Sequence, residues 1–170
     1  NPFSNLKQKV TFFLKNYITG SKKKEILKRT KKKFKLLEDI NKNFYPNKLN
    51  NKVKLHFIDH HKSHIASAFY PSQFNKAIGL SVDGFGDFCS VAIAKCENNK
   101  INIIDRVFFP HSLGVFYEAF TQLIGFKNYG DEYKVMGLSS YGKPKYYNYI
   151  IKNFFKDKIK LDLNLKYFNH

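Results

Sequence analysis

Residues 77–96, "AIGLSVDGFGDFCSVAIAKC", decide how the fold is read. "AIGLSVDG" is an uncharged, apolar run that closes on Asp83 and Gly84, as a strand does before a turn. "FCSVAIAKC" is a second strand, so the two form a tight hairpin. Gly84 and Gly86 let a backbone approach a phosphate and turn its N–H groups inward. Asp83, at the strand end, can bind a metal ion or its water. A purely structural turn accounts for the same residues, and both readings stand at this point.

Working outward, "KINIIDRVFF" (100–109) is a third strand, joined through "ENNK" by a hairpin-type connection. Upstream, "KVKLHFID" (52–59) alternates Val53, Leu55 and Phe57, a strand signal, and "HHKSHIASAF" (60–69) suits a helix. Downstream, "SLGVFYEAFTQLIGF" (112–126) is an amphipathic helix opened by Ser112. "DEYKVMGLSSYGKP" (131–144) reads as a short helix and then a turn. "KYYNYIIKNFFKD" (145–157) is a last helix, and "IKLDL" (159–163) begins another strand. The alternation predicts an α/β or α+β domain.

The first 54 residues differ in texture. They hold 16 Lys/Arg against 3 Asp/Glu, a net of +13 out of +17 for the chain. Ser4 can N-cap a helix carrying Val10, Phe13, Leu14 and Tyr17, ending near Gly20. A second helix is expected from about Lys23 to Asn43, with Leu27, Phe34 and Leu37 near the helical period. The expected division is a basic helical segment, 1–52, and an α/β part, 53–170. Such charge suits phosphates, nucleic acid or an anionic membrane surface. Lys, Asn, Ile, Phe and Tyr are abundant throughout, however, as an AT-rich genome encourages, so a nucleic-acid role is not the expectation.

No apolar run approaches the roughly 20 residues of a bilayer span, which predicts a soluble protein. Cys89 and Cys96 do not form a CxxC pair. They read as buried free thiols of a reducing cytosol, predicting a cytoplasmic location, with a disulfide or metal role as the alternative. The start, "NPFSNLKQKV", has no initiator Met and no signal-peptide pattern, so a fragment of a longer protein is expected.

Two further stretches carry chemistry. In "DHHKSHIASAFY" (59–70), His60 and His64 are i and i+4 and share one helical face. That spacing can chelate one metal ion, although no Glu follows the first His as in zinc-protease helices. Surface or satisfied core histidines are the alternative. His61 points elsewhere and can donate to phosphate or act as acid or base. In "NYGDEYKVMGLSSYGKP" (128–144), Asp131, Glu132 and Lys134 sit between glycines at a helix start, where an anion or nucleotide commonly binds. An ordinary loop–helix–loop explains the same pattern.

Taken together, "DHHKSHIASAFYPSQF", "AIGLSVDGFGDF", "FFPHSLGVFYEAFTQLIGF" and "NYGDEYKVMGLSSYGKP" resemble, in order and spacing, the N-terminal part of the O-carbamoyltransferase family. That family includes the nodulation-factor, cephamycin and aminoglycoside carbamoyltransferases. The resemblance covers roughly residues 53–145. It implies a partial actin/hexokinase-like (ribonuclease-H-like) domain with a mixed sheet and flanking helices. It implies that His60, His64 and Asp83 are ligands of a divalent metal, iron or zinc, with His61 at the site edge as a catalytic group. Gly84 and Gly86 would shape the phosphate-facing hairpin, and Glu132, Lys134 and Gly137 would lie near the nucleotide.

The implied reaction makes a carbamoyl-adenylate from carbamoyl phosphate and ATP in a C-terminal carbamoyl-activating domain. The carbamoyl group then passes to a hydroxyl of a small molecule or sugar. The family's Gly-rich first strand is missing before Asn1, and "SSYG" stands where the family often has "APYG", so a truncated piece, inactive alone, is expected. Two other readings remain. One is a tRNA threonylcarbamoyl-transfer relative, disfavoured because Ser63 rather than Gly precedes His64. The other is a non-catalytic basic nucleic-acid-binding module.

Overall fold

The computed structural model describes residues 5–16, 35 and 56–168. The chain divides into two compact units, Asn1–Asp59 and His60–His170.

In the first unit, helix α1 spans Leu6–Asn16, with Leu6, Val10 and Leu14 along one exposed face. Ser4, residues 17–20, the expected second helix apart from Lys35, and Val53 and Leu55 lie outside the described residues. Residues 56–59 are described and form no strand, although the alternation had predicted one there.

The second unit opens with helix α2, His60–Phe69. Strands β1 (Lys76–Gly86), β2 (Cys89–Glu97) and β3 (Lys100–Phe108) follow. They form one sheet in the order β1-β2-β3. Two-residue links at Asp87–Phe88 and Asn98–Asn99 leave no room for a crossover, so neighbours must run antiparallel. The described strands are therefore antiparallel throughout, where a mixed sheet was expected. Asp87 and Phe88 both have positive φ, 53° and 71°, as a twisted two-residue hairpin requires. The register sets Leu80 opposite Ile93 and Val82 opposite Val91 before an irregularity ahead of the Gly86–Cys89 pair.

Ile65 and Phe69 on α2 pack against Ala94, Cys96 and Ile101 on one face of the sheet. Burying each of these two side chains stabilises the fold by about 1.5–3 kcal/mol. The approach is close at Gly79, where a Cβ would sit 2.5 Å from Ile65 Cγ2. Cys89 and Cys96 are buried thiols outside any disulfide, as expected of them.

Helix α3, Leu113–Leu123, starts at Ser112, whose Oγ accepts from the Val115 N–H at 3.1 Å. Helices α4 (Glu132–Ser139) and α5 (Tyr147–Phe154) follow. The expectation of a helix through residue 157 is corrected. Phe155–Asp157 is a short strand, β4, paired with β5, Asp162–Leu163. Phe155 is already extended (φ −117°, ψ 131°) and its ring meets Phe116 of α3. Asn164 N–H then takes the Phe154 carbonyl at 2.8 Å, closing the helix end. Of the strand expected over 159–163, only Asp162 and Leu163 form one. The Asp157 carboxylate holds Ile159 and Lys160 in a turn through their N–H groups. Phe116, Phe120, Phe154 and Phe168 form a second, aromatic core around α3 and α5. Among the described residues no helix is long and apolar enough to cross a membrane.

Candidate metal centre

The site forms where the start of α2 meets the glycine turn at the end of β1. One helical turn sets His60 and His64 on the same face. Their Nε2 atoms stand 3.0 Å apart. Asp83 Oδ2 lies 2.5 Å from His60 Nε2 and 3.8 Å from His64 Nε2. These three atoms fall within 4.8 Å of one another, close enough to serve one cation. The cluster opens to solvent on one side, since the His60, His64 and Asp83 side chains are 40%, 56% and 33% exposed.

Glycine makes this approach possible. A Cβ on Gly86 would collide with the His60 ring at Cδ2, Nε2 and Cγ. The turn also reaches back to the helix, because His60 N–H donates to Asp87 Oδ2 at 3.1 Å. That bond satisfies one of the orphan N–H groups at the start of α2. From the other side, Ser112 Oγ donates to the Gly84 carbonyl at 2.7 Å. Gly114 presses on the same turn, where a Cβ would lie 2.5 Å from Gly84 Cα. The turn carrying Asp83 is thus held between the starts of two helices.

Burial pushes the Asp83 carboxyl up, but other groups outweigh it. The His60 hydrogen bond, the Gly84 N–H at 2.6 Å and the nearby imidazoles hold its pKa below the ordinary carboxylate value.

His61 occupies a different environment from its neighbours. It is fully buried. Its Nε2 faces the Cys89 carbonyl at 3.0 Å, so that nitrogen carries the proton and donates. Nδ1 is then the acceptor for Ser81 Oγ–H at 2.8 Å. Both ring nitrogens are spent on tying α2 to β1 and β2.

The remaining sequence candidates divide. Gly84 lies in the turn, with its N–H given to Asp83 and its carbonyl to Ser112. Glu132, Lys134 and Gly137 lie on α4. Lys134 Nζ donates to Asp131 Oδ1 at 2.6 Å and sits 5.7 Å from the Phe126 ring centroid. Asp131 also accepts the Asn128 N–H, and it is buried. Sequence reasoning missed Asp87, Ser81, Ser112 and Gly114 as the parts that hold the cluster. Ser112 carried a signal only as a helix cap, and Asp87 only as the second acidic residue of "DGFGD". Its helix partner is 27 residues upstream, beyond the reach of any local pattern.

Comparison with known proteins follows the same residues. The family described as Carbamoyltransferase N-terminus matches residues 5–170. An uncharacterized protein of Synechocystis sp. is 43% identical over 118 residues, 67% of this chain and 19% of that protein. Nodulation protein NolNO of Sinorhizobium fredii is 34% identical over 103 residues, 61% of this chain and 15% of its own length. Nodulation protein NolO of Bradyrhizobium diazoefficiens is 38% identical over 101 residues, 58% of this chain and 18% of its own. The chain spans less than a fifth of the length of these relatives. With the family matched over nearly the whole chain, this protein belongs to the carbamoyltransferase N-terminus family.

Proposed function

We propose that the whole protein is an O-carbamoyltransferase and that His60, His64 and Asp83 hold a divalent metal, iron or zinc, at its transfer site. The observation that carries this reading is the convergence of two imidazole nitrogens and one carboxylate oxygen on a single point. Three such bases facing each other need a proton or a cation between them. Tetrahedral ligands at metal bonds of 2.0–2.1 Å stand about 3.3 Å apart. The observed separations of 2.5, 3.0 and 3.8 Å bracket that spacing. Neutral imidazole with carboxylate suits iron and zinc equally. A metal bound there would supply Lewis-acid polarisation of an oxygen.

The chain's own residues have distinct parts in this reading. Asp83 stays ionised and so remains a ligand well into the acid range. His61 is a positioning residue, because its nitrogens are engaged inside the protein. Gly84 and Gly86 shape the turn beneath the reacting groups. Glu132, Lys134 and Gly137 on α4 would face the nucleotide side of an actin-like domain. The carbamoyl group would come from a carbamoyl-adenylate, formed from carbamoyl phosphate and ATP in the C-terminal part. A hydroxyl of a small molecule or sugar would accept it. The family and the nodulation-protein relatives favour this over the tRNA-modifying and nucleic-acid-binding readings. We place the enzyme in the cytoplasm.

The test is metal content and carbamoyl transfer by the full-length protein. Changing His60 and His64 together to Ala is expected to abolish both bound metal and transfer. Unchanged metal stoichiometry in that variant would remove the assignment.

A further inference from the structure

Helix α1 reverses the ordinary burial pattern. A surface helix normally buries its apolar stripe and shows its polar residues to water. Here Leu6, Val10 and Leu14, spaced i, i+4 and i+8, are 57%, 48% and 66% exposed. Polar Gln8 and Lys9 are half-buried instead, together with Phe12. The exposed stripe is about 12 Å long at the helical rise. Lys7 and Lys15 follow its two leucines and are exposed beside them.

The charge around the helix has one sign. The first 24 residues hold six Lys and no Asp or Glu, and the first acidic residue is Glu25. An apolar stripe with a cationic border has two demands, and an occupant must meet both. Nucleic acid would take the lysines through its phosphates and leave the leucines in water. An apolar protein groove would take the leucines and leave the lysines unmatched. An anionic lipid surface offers acyl chains for the stripe and headgroup phosphates for the ammonium groups. Lysine suits that border, because its stem runs along apolar surface while its charge stays in water. The net +13 of residues 1–54 adds attraction to the same surface.

We infer that α1 lies on an anionic membrane surface. Leu6, Val10 and Leu14 enter the boundary between headgroups and acyl chains, and Lys7 and Lys15 pair with headgroup phosphates. The helix lies in the interface and does not span the bilayer, since 11 residues are too few to cross it. Binding of this kind is peripheral and reversible. It does not depend on the metal or on the transferred group.

The experiment is co-sedimentation of the full-length protein with phosphatidylcholine vesicles, with and without phosphatidylglycerol. Binding to the mixed vesicles is expected to be at least about tenfold tighter than to phosphatidylcholine alone. It should weaken as salt rises. Replacing Leu6, Val10 and Leu14 together with Gln keeps every charge and should abolish it. Equal binding to both vesicles, or none, overturns the inference. So does a triple variant that binds as tightly as the native protein, which would leave the lysines as a diffuse charge. Binding to RNA or DNA in place of the vesicles overturns it as well. Should the triple variant fail to fold, hydrogen exchange on the unsubstituted protein decides. Amides of residues 6–16 are expected to slow when phosphatidylglycerol vesicles are added and to stay unchanged with phosphatidylcholine. No slowing with either overturns it.

Discussion

His61 and His60 are adjacent, yet they do opposite work. His60 presents its Nε2 to a solvent-open cluster, while His61 spends both nitrogens on Ser81 and Cys89 inside the protein. Replacing His61 with Ala would leave the Cys89 carbonyl and Ser81 hydroxyl without partners and open a cavity. The expected loss is about 2–4 kcal/mol, read from urea-unfolding midpoints. A loss under about 0.5 kcal/mol, typical of a surface change, would contradict its placement. Asp131 offers a pH-dependent test away from the histidines. Its hydrogen bond from Lys134 outweighs burial, with help from Asn128, and holds its pKa below the ordinary 3.8. A depressed carboxylate contributes stability that is complete above its unfolded value and is lost as pH falls through its folded value. The stability gap between the native protein and Asp131→Asn should therefore stay level from neutral pH down to about 4 and shrink only below that. A gap already closing between pH 7 and 5 would show that another group is titrating.

Among the elements, the glycine turn between β1 and β2 is where packing and function meet. Its two glycines, Gly84 and Gly86, and Gly114 of α3 beside it differ in the room each has. Gly84 has open space where a Cβ would go, so Gly84→Ala should change stability by no more than about 0.5 kcal/mol and leave metal content intact. Gly86→Ala should displace the His60 ring and lower metal content without removing any ligand. Metal analysis of the two full-length variants side by side makes the comparison. Gly114→Ala drives a methyl into the Gly84 backbone and should cost about 1–3 kcal/mol by thermal or urea unfolding. The three strands of the sheet, the turn and the capped start of α3 were legible because apolar runs bounded by turn residues, paired glycines and an N-terminal Ser are local signals. The end of α5 was not. Its helical pattern continues through Phe155, and the backbone turns extended there through non-local contacts, the Phe116 ring and the pairing with Leu163.

For the whole molecule, the family match extends back to residue 5, so most of the Lys-rich N-terminal segment belongs to the same family region as the histidines. This argues against reading the segment as a separate nucleic-acid-binding arm. Full-length protein should accordingly show no salt-steep binding to RNA or DNA at physiological ionic strength. A log–log salt slope matching several phosphate contacts would revive that reading.

Spacing alone put His60 and His64 on one helical face and Asp83 at a strand end beside glycines, and the family resemblance is what joined the three as candidate ligands. Short-range spacing depends on backbone geometry, which a sequence states directly. What only the tertiary structure decided is which atoms meet. It brought Asp83 across 23 residues onto His60, turned His61 inward, and paired Lys134 of α4 with Asp131. Those outcomes depend on how α2 packs on the sheet through Gly79 and Gly86, and no local pattern encodes a contact between distant segments.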